Sequence, residues 1–343
     1  MADNATTDIE YIHLTIDGQG IQARADQTIL EVARQYGIRI PTLCYTEKLE
    51  PLGSCRLCVV TVKGTPMPVT ACTTQIAEGM VVNTRSQMLE QLRRDTLRLL
   101  LLRHPLVCET CEIDGHCPLQ DLAAEYGVSD EGLSLYEMTP IDLEPEPYAT
   151  PLIAYHPDRC ILCGRCVQAC VEISGVGAID FCGCGAETRI APVTRGTDTP
   201  SHCVSCGECM AICPVNALTE VSEHPRGSLW DSRKVKTTCP YCGVGCQLTL
   251  NVMNNEIVGV TPNDGAVNRG SLCVKGRFGY DFVGHRERLT TPLLRHGDRW
   301  EAVSWDQALD RIADQLARIH EEQGPDAIAG LSSARCTNEE NYF

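Results

Sequence analysis

No long apolar run occurs anywhere in the 343 residues. The most apolar stretch, residues 97–102, is broken by Arg98 and is far too short to cross a bilayer, so no membrane span is expected. A charged-then-apolar leader is missing as well. Residues 1–10 are polar and acidic, and the twin arginines Arg93 and Arg94 lie inside the chain, so no export signal is expected. Positive charge is scarce: 29 Lys and Arg face 45 Asp and Glu, a formal net charge of −16. Little is left to neutralise a phosphate backbone, which excludes a nucleic-acid partner. Weakly hydrophobic sequence is lacking too, with 43% hydrophobic and 22% charged residues. Disorder is therefore expected only over the first several residues, and the length suits two or three domains that each bury a core.

Cysteine, by contrast, is abundant, at 22 residues. In a small secreted domain that would indicate disulfides. Here the cysteines fall in C-x2-C runs along a long chain, which points to metal ligation in a reducing cytoplasm.

Residues 11–23 alternate polar and apolar around Asp17-Gly18, the pattern of a hairpin. Thr28 and Glu31 form a capping box for a helix whose apolar side includes Ile29, Ala33 and Tyr36, and Gly37 closes it. Strands are expected at 58–62 and 67–71, turning at Lys63-Gly64. Residues 10–86 thus read as a small α+β domain compatible with a β-grasp. It carries Cys44, Cys55, Cys58 and Cys72, spaced C-x10-C-x2-C-x13-C. The tight pair can grip one iron while the two distant cysteines reach another. Four thiolates suit zinc equally well, although zinc motifs usually show two tight pairs and this one has a single pair. The spacing resembles the 2Fe–2S domain of respiratory complex I and its relatives, which implies one 2Fe–2S cluster.

Residues 87–126 open with a helix expected over 86–103, with Leu89, Leu92, Thr96, Leu99 and Leu100 near one face. Pro105 ends it. His104 then starts the series H-x3-C-x2-C-x5-C with Cys108, Cys111 and Cys117. A lone histidine is more often a packing residue than a ligand, and His116 competes for the role, but its neighbour Cys117 leaves it little freedom. The series resembles one found in complex I and iron-only hydrogenases, implying a 4Fe–4S cluster with one imidazole ligand. Residues 127–150 are rich in Glu, Asp and Pro and read as a connector.

An internal repeat occupies 151–225. Cys160, Cys163, Cys166 and Cys170 share C-x2-C-x2-C-x3-C spacing with Cys203, Cys206, Cys209 and Cys213, the pattern of bacterial two-cluster ferredoxins. In that pattern the fourth cysteine of each run crosses to the other cube. Cys213 is expected with Cys160, Cys163 and Cys166, and Cys170 with Cys203, Cys206 and Cys209. The arms stand further apart than a minimal ferredoxin requires, so an inserted hairpin or loop is expected between them.

The last motif, Cys239, Cys242, Cys246 and Cys273, spans 234–292, with strand alternation over 246–260 around Asn254-Asn255. From 293 onward Ser304 and Gln307 form a capping box, and Ala308, Ile312 and Leu316 recur at helical spacing. A strand is expected at 327–331, a loop at 332–337, and a helix capped by Asn338. The segments CPYCGVGC and SLCVKGRFGYDF closely resemble the N-terminal 4Fe–4S domain of molybdenum or tungsten bis-pterin oxidoreductases, formate dehydrogenases among them. That resemblance implies a fourth 4Fe–4S cluster and puts Lys275 between cube and pterin, where the plain alternative is a solvated surface charge. SSARCTNEENYF resembles the stretch those enzymes lay against the pterin, implying cofactor contacts from Ser332, Ser333 and Asn338. Three cysteines remain. Cys182 and Cys184 are a redox or metal pair or, more simply, free thiols in the inserted loop, and Cys336 reads as a packing residue.

The fold class is thus an α+β multidomain chain: a 2Fe–2S domain, a one-His three-Cys domain, a two-cluster ferredoxin domain, a 4Fe–4S molybdopterin-oxidoreductase domain and the start of an α/β pterin domain. This order resembles the catalytic subunit of cytoplasmic, NAD-linked formate dehydrogenases. Iron-only hydrogenases share the first four clusters but need a different active-site domain, and assimilatory nitrate reductases lack the complex-I-like front half. The resemblance implies five clusters, a Mo- or W-bis(pyranopterin guanine dinucleotide), and a hetero-oligomer with flavin- and 2Fe–2S-containing NADH-dehydrogenase-like subunits. In that family a cysteine or selenocysteine, with a histidine beside it, holds the metal farther along than this sequence runs. The chain as given is therefore expected to carry electrons and bind one edge of the cofactor rather than oxidise formate. The alternative is a non-catalytic iron–sulfur subunit of a complex-I-like NADH dehydrogenase or hydrogenase complex.

Overall fold

The computed structural model describes residues 10–129, 148–193, 202–221, 231–334, 336 and 338–342. Most of the connector, 130–147, lies outside the described residues. The chain divides into two compact units, Met1–Ser232 and Arg233–Phe343.

The first unit opens with β1 (Tyr11–Ile16) and β2 (Gln19–Arg24), paired antiparallel. Asp17 and Gly18 both take positive φ, at 51° and 83°, the double left-handed turn that matches strand twist. Helix α1 (Ile29–Gln35) is held by the Thr28–Glu31 capping box, and Gly37 follows at φ 71°. Next come β3 (Val59–Val62) and β4 (Val69–Thr70), antiparallel to each other. One further strand has no counterpart among the expected elements: β5 (Val81–Asn83) runs parallel to β1 and antiparallel to β3. It makes the sheet order β2-β1-β5-β3-β4. Ile16, Ile29, Leu30, Val32, Val60 and Val82 are fully buried between α1 and this sheet.

Helix α2 (Gln87–Leu101) is capped by Ser86, whose hydroxyl accepts from the Leu89 amide at 3.2 Å. Its buried face differs from the expected one. Leu89, Arg93, Leu97 and Leu101 are buried, while Leu92 and Leu99 are exposed. Hydrophobicity alone could not rank a buried arginine, and Arg93 turns the helix by feeding three backbone carbonyls of the sheet domain. Helix α3 (Pro118–Glu125) starts with proline at its first position, where no amide is needed.

The ferredoxin-like part is framed by β6 (Ile153–Tyr155), which pairs antiparallel with β9 (Leu218–Glu220). Between them lie α4 (Arg165–Gln168), the hairpin β7 (Ile179–Cys182) and β8 (Arg189–Pro192), and α5 (Glu208–Ala211). The expected insertion is that hairpin.

The second unit is a meander of β10 (Arg233–Thr238), β11 (Gln247–Met253) and β12 (Glu256–Pro262). Asn254 and Asn255, at φ 48° and 66°, make its second turn. Helix α6 (Val274–Phe278) begins directly after Cys273, followed by the hairpin β13 (Leu293–His296) and β14 (Arg299–Ala302). Helix α7 (Trp305–Gln323) carries the Ser304–Gln307 capping box, and α8 (Asn338–Tyr342) is a short final helix. Two expectations fail here. Residues 327–331 form no strand among the described residues, because no ladder partner satisfies their backbone. Asn338 stands as the first residue of α8 rather than before it. Helix α7 itself forms as expected, with Ala308 buried and Ile312 and Leu316 exposed.

Candidate metal centres

Cys44, Cys55, Cys58 and Cys72 are all buried. Cys58 immediately precedes β3 and Cys72 lies just beyond β4, so sheet pairing draws these two together and their sulfurs stand 3.4 Å apart. Arg56, at φ 56°, turns the intervening loop. The Cys55 amide donates to the Cys44 sulfur at 3.5 Å. Crowding couples the thiols. A hydrogen bond from Cys55 and another from Cys72 hold Cys44 well below the usual thiol range, Cys72 lowers Cys58 to about 7, and contact with Cys44 raises both Cys55 and Cys72. Cys58 thus faces Cys72 through sheet pairing, while Cys44 touches both Cys55 and Cys72, so the four sulfurs form one group.

His104, Cys108, Cys111 and Cys117 line one cavity, together with Asp114 and Gln120. A 3-10 turn, Cys108–Thr110, sets the first pair, with the Cys111 amide donating to the Cys108 carbonyl at 2.9 Å. Cys117 stands at the N-terminus of α3. His104 Nδ1 lies 3.0 Å from the Arg159 carbonyl oxygen. A carbonyl only accepts, so Nδ1 carries the proton and Nε2 keeps a lone pair. Burial lowers the His104 pKa, favouring the neutral ring that ligation requires. His116 is not among the side chains lining this cavity.

The repeated runs adopt matching backbones. Leu162 and Gly164 take positive φ at 52° and 79°, and Ser205 and Gly207 do so at 54° and 73°. Each loop thereby folds its three cysteines around one space. Cys170, Cys203, Cys206 and Cys209 line a single cavity with Ser174 and Tyr148. Cys166 is raised by burial and then by the nearby sulfurs of Cys163, Cys213 and Cys160. The fourth cysteine of each run therefore sits with the first three of the other. Burial pushes Cys163 and Cys209 up to about 12. Thiolates in these places need a compensating cation, and soft iron suits such a donor set. Backbone amides already point at the sulfurs: Ala178 N to Cys170 at 3.1 Å, Ser205 N to Cys203 at 3.4 Å and Ala217 N to Cys213 at 3.3 Å. The Tyr148 hydroxyl is buried beside Cys209 with no hydrogen-bond partner, an orphan that a cluster sulfur would satisfy.

In the second unit, Cys246 is raised by burial and by Cys239, Cys242 and Cys273, so these four also come together. The Cys239 amide donates to the Cys246 carbonyl at 2.8 Å and closes the loop. Gly243 has no room for a Cβ because the Ala334 carbonyl oxygen lies against it, which seats Ala334 on the cysteine loop. Lys275 is exposed, its Nζ 5.8 Å from the centre of the Tyr241 ring. Ser332, Ser333 and Asn338 are exposed as well. Asn341, within the SSARCTNEENYF stretch but not singled out there, ties to the serines: its side chain accepts from the Ser332 hydroxyl and donates to the Ser333 carbonyl at 3.2 Å. Cys182 and Cys184 are exposed at the β7–β8 turn, and Cys336 is half-buried. Among the described residues no group of three or more His, Cys, Asp or Glu side chains is arranged for a single metal ion. A cluster spreads its protein ligands over several irons, one per iron in a cube and two per iron in a 2Fe–2S centre. No helix among them is long and apolar enough to cross a membrane.

Five family models match consecutive stretches of the chain. They are a 2Fe-2S iron-sulfur cluster binding domain (10–87), the NADH-ubiquinone oxidoreductase-G iron-sulfur binding region (93–131) and the ferredoxin-like domain of NADH-quinone oxidoreductase subunit 3 (150–219). A molybdopterin oxidoreductase Fe4S4 domain (232–285) and molybdopterin oxidoreductase (288–343) follow. NADPH-Fe(3+) oxidoreductase subunit alpha of Geobacter sulfurreducens is 36% identical over 97% of this chain and 38% of its own length. A G-type NADH-quinone oxidoreductase subunit of Rhizobium meliloti is 37% identical over 96% of this chain and 38% of its own. A putative formate dehydrogenase of Staphylococcus aureus is 31% identical over 97% of this chain and 37% of its own. The chain thus spans well under half the length of these relatives. A chain in the crystal structure of an NAD+-reducing [NiFe]-hydrogenase is 30% identical, with a TM-score of 0.54, covering 62% of this chain and 88% of that one. The chain is thus built of iron–sulfur and molybdopterin oxidoreductase domains and is similar to the G-type subunits of complex-I-like NADH-quinone oxidoreductases.

Proposed function

We propose that this chain is the five-cluster electron relay of a molybdopterin oxidoreductase that oxidises formate and passes electrons to a flavin- and NAD-binding partner. The observation that carries the relay is the crossing of the two ferredoxin runs: the cavity shared by Cys170 with Cys203, Cys206 and Cys209 needs a multi-iron group to make sense of four clustered thiols and an orphaned phenol. The 2Fe–2S centre falls to Cys44, Cys55, Cys58 and Cys72 on a β-grasp-like sheet. His104 Nε2 with Cys108, Cys111 and Cys117 holds a cube, and Cys160, Cys163 and Cys166 with Cys213 hold the next. Cys239, Cys242, Cys246 and Cys273 hold the last. A Mo- or W-bis(pyranopterin guanine dinucleotide) in the full-length subunit supplies the two-electron oxidation of formate to CO2. Lys275 lies two residues beyond Cys273 and is held near Tyr241, where its ammonium can stand between electron-rich groups. The seating of Ala334 against Gly243 supports its neighbours Ser332 and Ser333, and Asn338 beyond them, as contacts along the pterin edge.

A second reading is favoured by the relatives' names, since the NADH-quinone and NADPH-Fe(3+) oxidoreductase subunits share more identity than the putative formate dehydrogenases. In it the chain carries electrons for a complex-I-like dehydrogenase without formate chemistry. Rapid mixing of the full-length subunit with formate separates the two. Formate-driven bleaching of the clusters, slowed in Lys275→Ala with iron content intact, supports the formate reading; clusters that NADH reduces and formate does not would overturn it.

A further inference from the structure

Arg165 is the first residue of α4 and lies one position before Cys166. One guanidinium nitrogen donates to the Tyr45 carbonyl, and the other terminal nitrogen donates to the Ile212 carbonyl at 3.3 Å. Tyr45 directly follows Cys44, and Ile212 directly precedes Cys213. The two acceptors thus belong to chain neighbours of two different metal sites. Arg165 Nε is buried and has no hydrogen-bond partner, and no carboxylate pairs with this guanidinium among the described residues. The ionisable groups facing it are the sulfurs of Cys163, Cys44, Cys213 and Cys55, which become thiolates when they ligate iron. Nearby bonds join the same two parts, with Ser54 Oγ donating to the Cys163 carbonyl at 2.8 Å and the Gln168 amide to the Glu50 carbonyl at 2.6 Å.

A half-buried cation without a carboxylate partner is costly to keep. The chain retains one where two thiolate-ligated groups of net negative charge would flank it. We propose that Arg165 is a positioning residue shared by two redox centres, holding one positive charge between the 2Fe–2S site and the Cys160/Cys163/Cys166/Cys213 site and raising both reduction potentials together. This rests on reading those cysteines as cluster ligands. Adding an electron to either centre adds negative charge, and a fixed cation between them favours the reduced form of each. Its attraction for an electron on either centre offsets the repulsion from the other, so an electron can occupy either side of the junction. Arginine suits the place because its planar fork reaches two carbonyls at once and it keeps its charge when buried.

The test is an EPR-monitored redox titration of the iron-loaded chain and of Arg165→Gln, with iron counted in each. The neutral variant is expected to lose about tenfold in the reduced-to-oxidised ratio of both centres at a fixed potential, about 59 mV for a one-electron couple. The His104 cube and the Cys239-containing cube should not move. Full iron with neither potential shifted, or only one shifted, would overturn the proposal. If Arg165→Gln fails to assemble, Arg165→Lys decides: both potentials kept near wild type supports a charge role, and a tenfold fall in either contradicts it. Failure of the cluster reading itself shows differently, as missing iron or missing signals in the unsubstituted chain.

Discussion

Replacing Arg93 with methionine should release the front cluster site while leaving α2 helical. Arg93 is buried, with Nε donating to the Leu57 carbonyl at 3.2 Å and Nη2 to the carbonyls of Val59 at 2.8 Å and Thr84 at 3.0 Å. Leu57 lies inside the Cys55-to-Cys58 loop, and Thr84 follows β5, so one side chain ties the ligand loop to the sheet and to α2. Methionine matches arginine in helix propensity and fills much of its length, which isolates the loss of the donors. Each buried carbonyl left without a partner costs about 1–3 kcal/mol. The three share one donor group and do not add fully, and relief of a buried charge offsets part of the loss. About 3–5 kcal/mol is the working figure. Against a domain stability of about 5–15 kcal/mol, that is a large fraction. Denaturant titration of the iron-loaded chain, followed by visible circular dichroism of the 2Fe–2S chromophore, reads it directly. Arg93→Met should lose that signal at clearly lower denaturant, with Arg93→Lys in between because an ammonium cannot span the three acceptors. An unchanged midpoint in Arg93→Met would refute the reasoning.

His104→Cys should keep a cube but lower its potential, since a thiolate adds negative charge where the imidazole is neutral; unchanged clusters and potentials in both His104→Cys and His104→Ala would assign the ligand elsewhere. Tyr148→Phe should retain full iron and lower the potential of the Cys170/Cys203/Cys206/Cys209 cube alone, because it removes a buried donor beside Cys209; a redox titration with that potential unmoved would count against the contact. Burial lowers the His156 pKa, and its Nε2 lies 2.9 Å from the Thr219 hydroxyl. The unfolded state then binds the proton first, so this stability is present above about pH 6.5 and is lost as pH falls below it. Melting curves over that range should drop more steeply for the parent chain than for His156→Gln, and parallel curves would sink the assignment.

Local signals carried much of the fold. Asp17-Gly18, the Thr28–Glu31 and Ser304–Gln307 capping boxes, and Asn254-Asn255 each encode their structure within a few residues, and each appears where the sequence places it. Non-local structure was harder. β5 is three residues long and finds its parallel partner β1 far upstream, and β10 reads RKVKTT with no apolar face to announce it. The cysteine groupings were legible because ligand spacing along the chain constrains which sulfurs can meet. The approach of Cys58 to Cys72 was not, because it follows from the pairing of β3 with β4. Arg165 and Arg93 gave no signal at all: their acceptors lie up to 120 residues away, and sequence marks both simply as charges.

The most direct test of the five-cluster account is iron and acid-labile sulfide per chain, measured on protein purified without oxygen and paired with zinc analysis and integrated EPR of the fully reduced state. About 18 irons, no stoichiometric zinc, and one 2Fe–2S signal beside those of four cubes are expected. Zinc at the front four cysteines, or iron falling short by a whole cube in undamaged protein, would contradict the account.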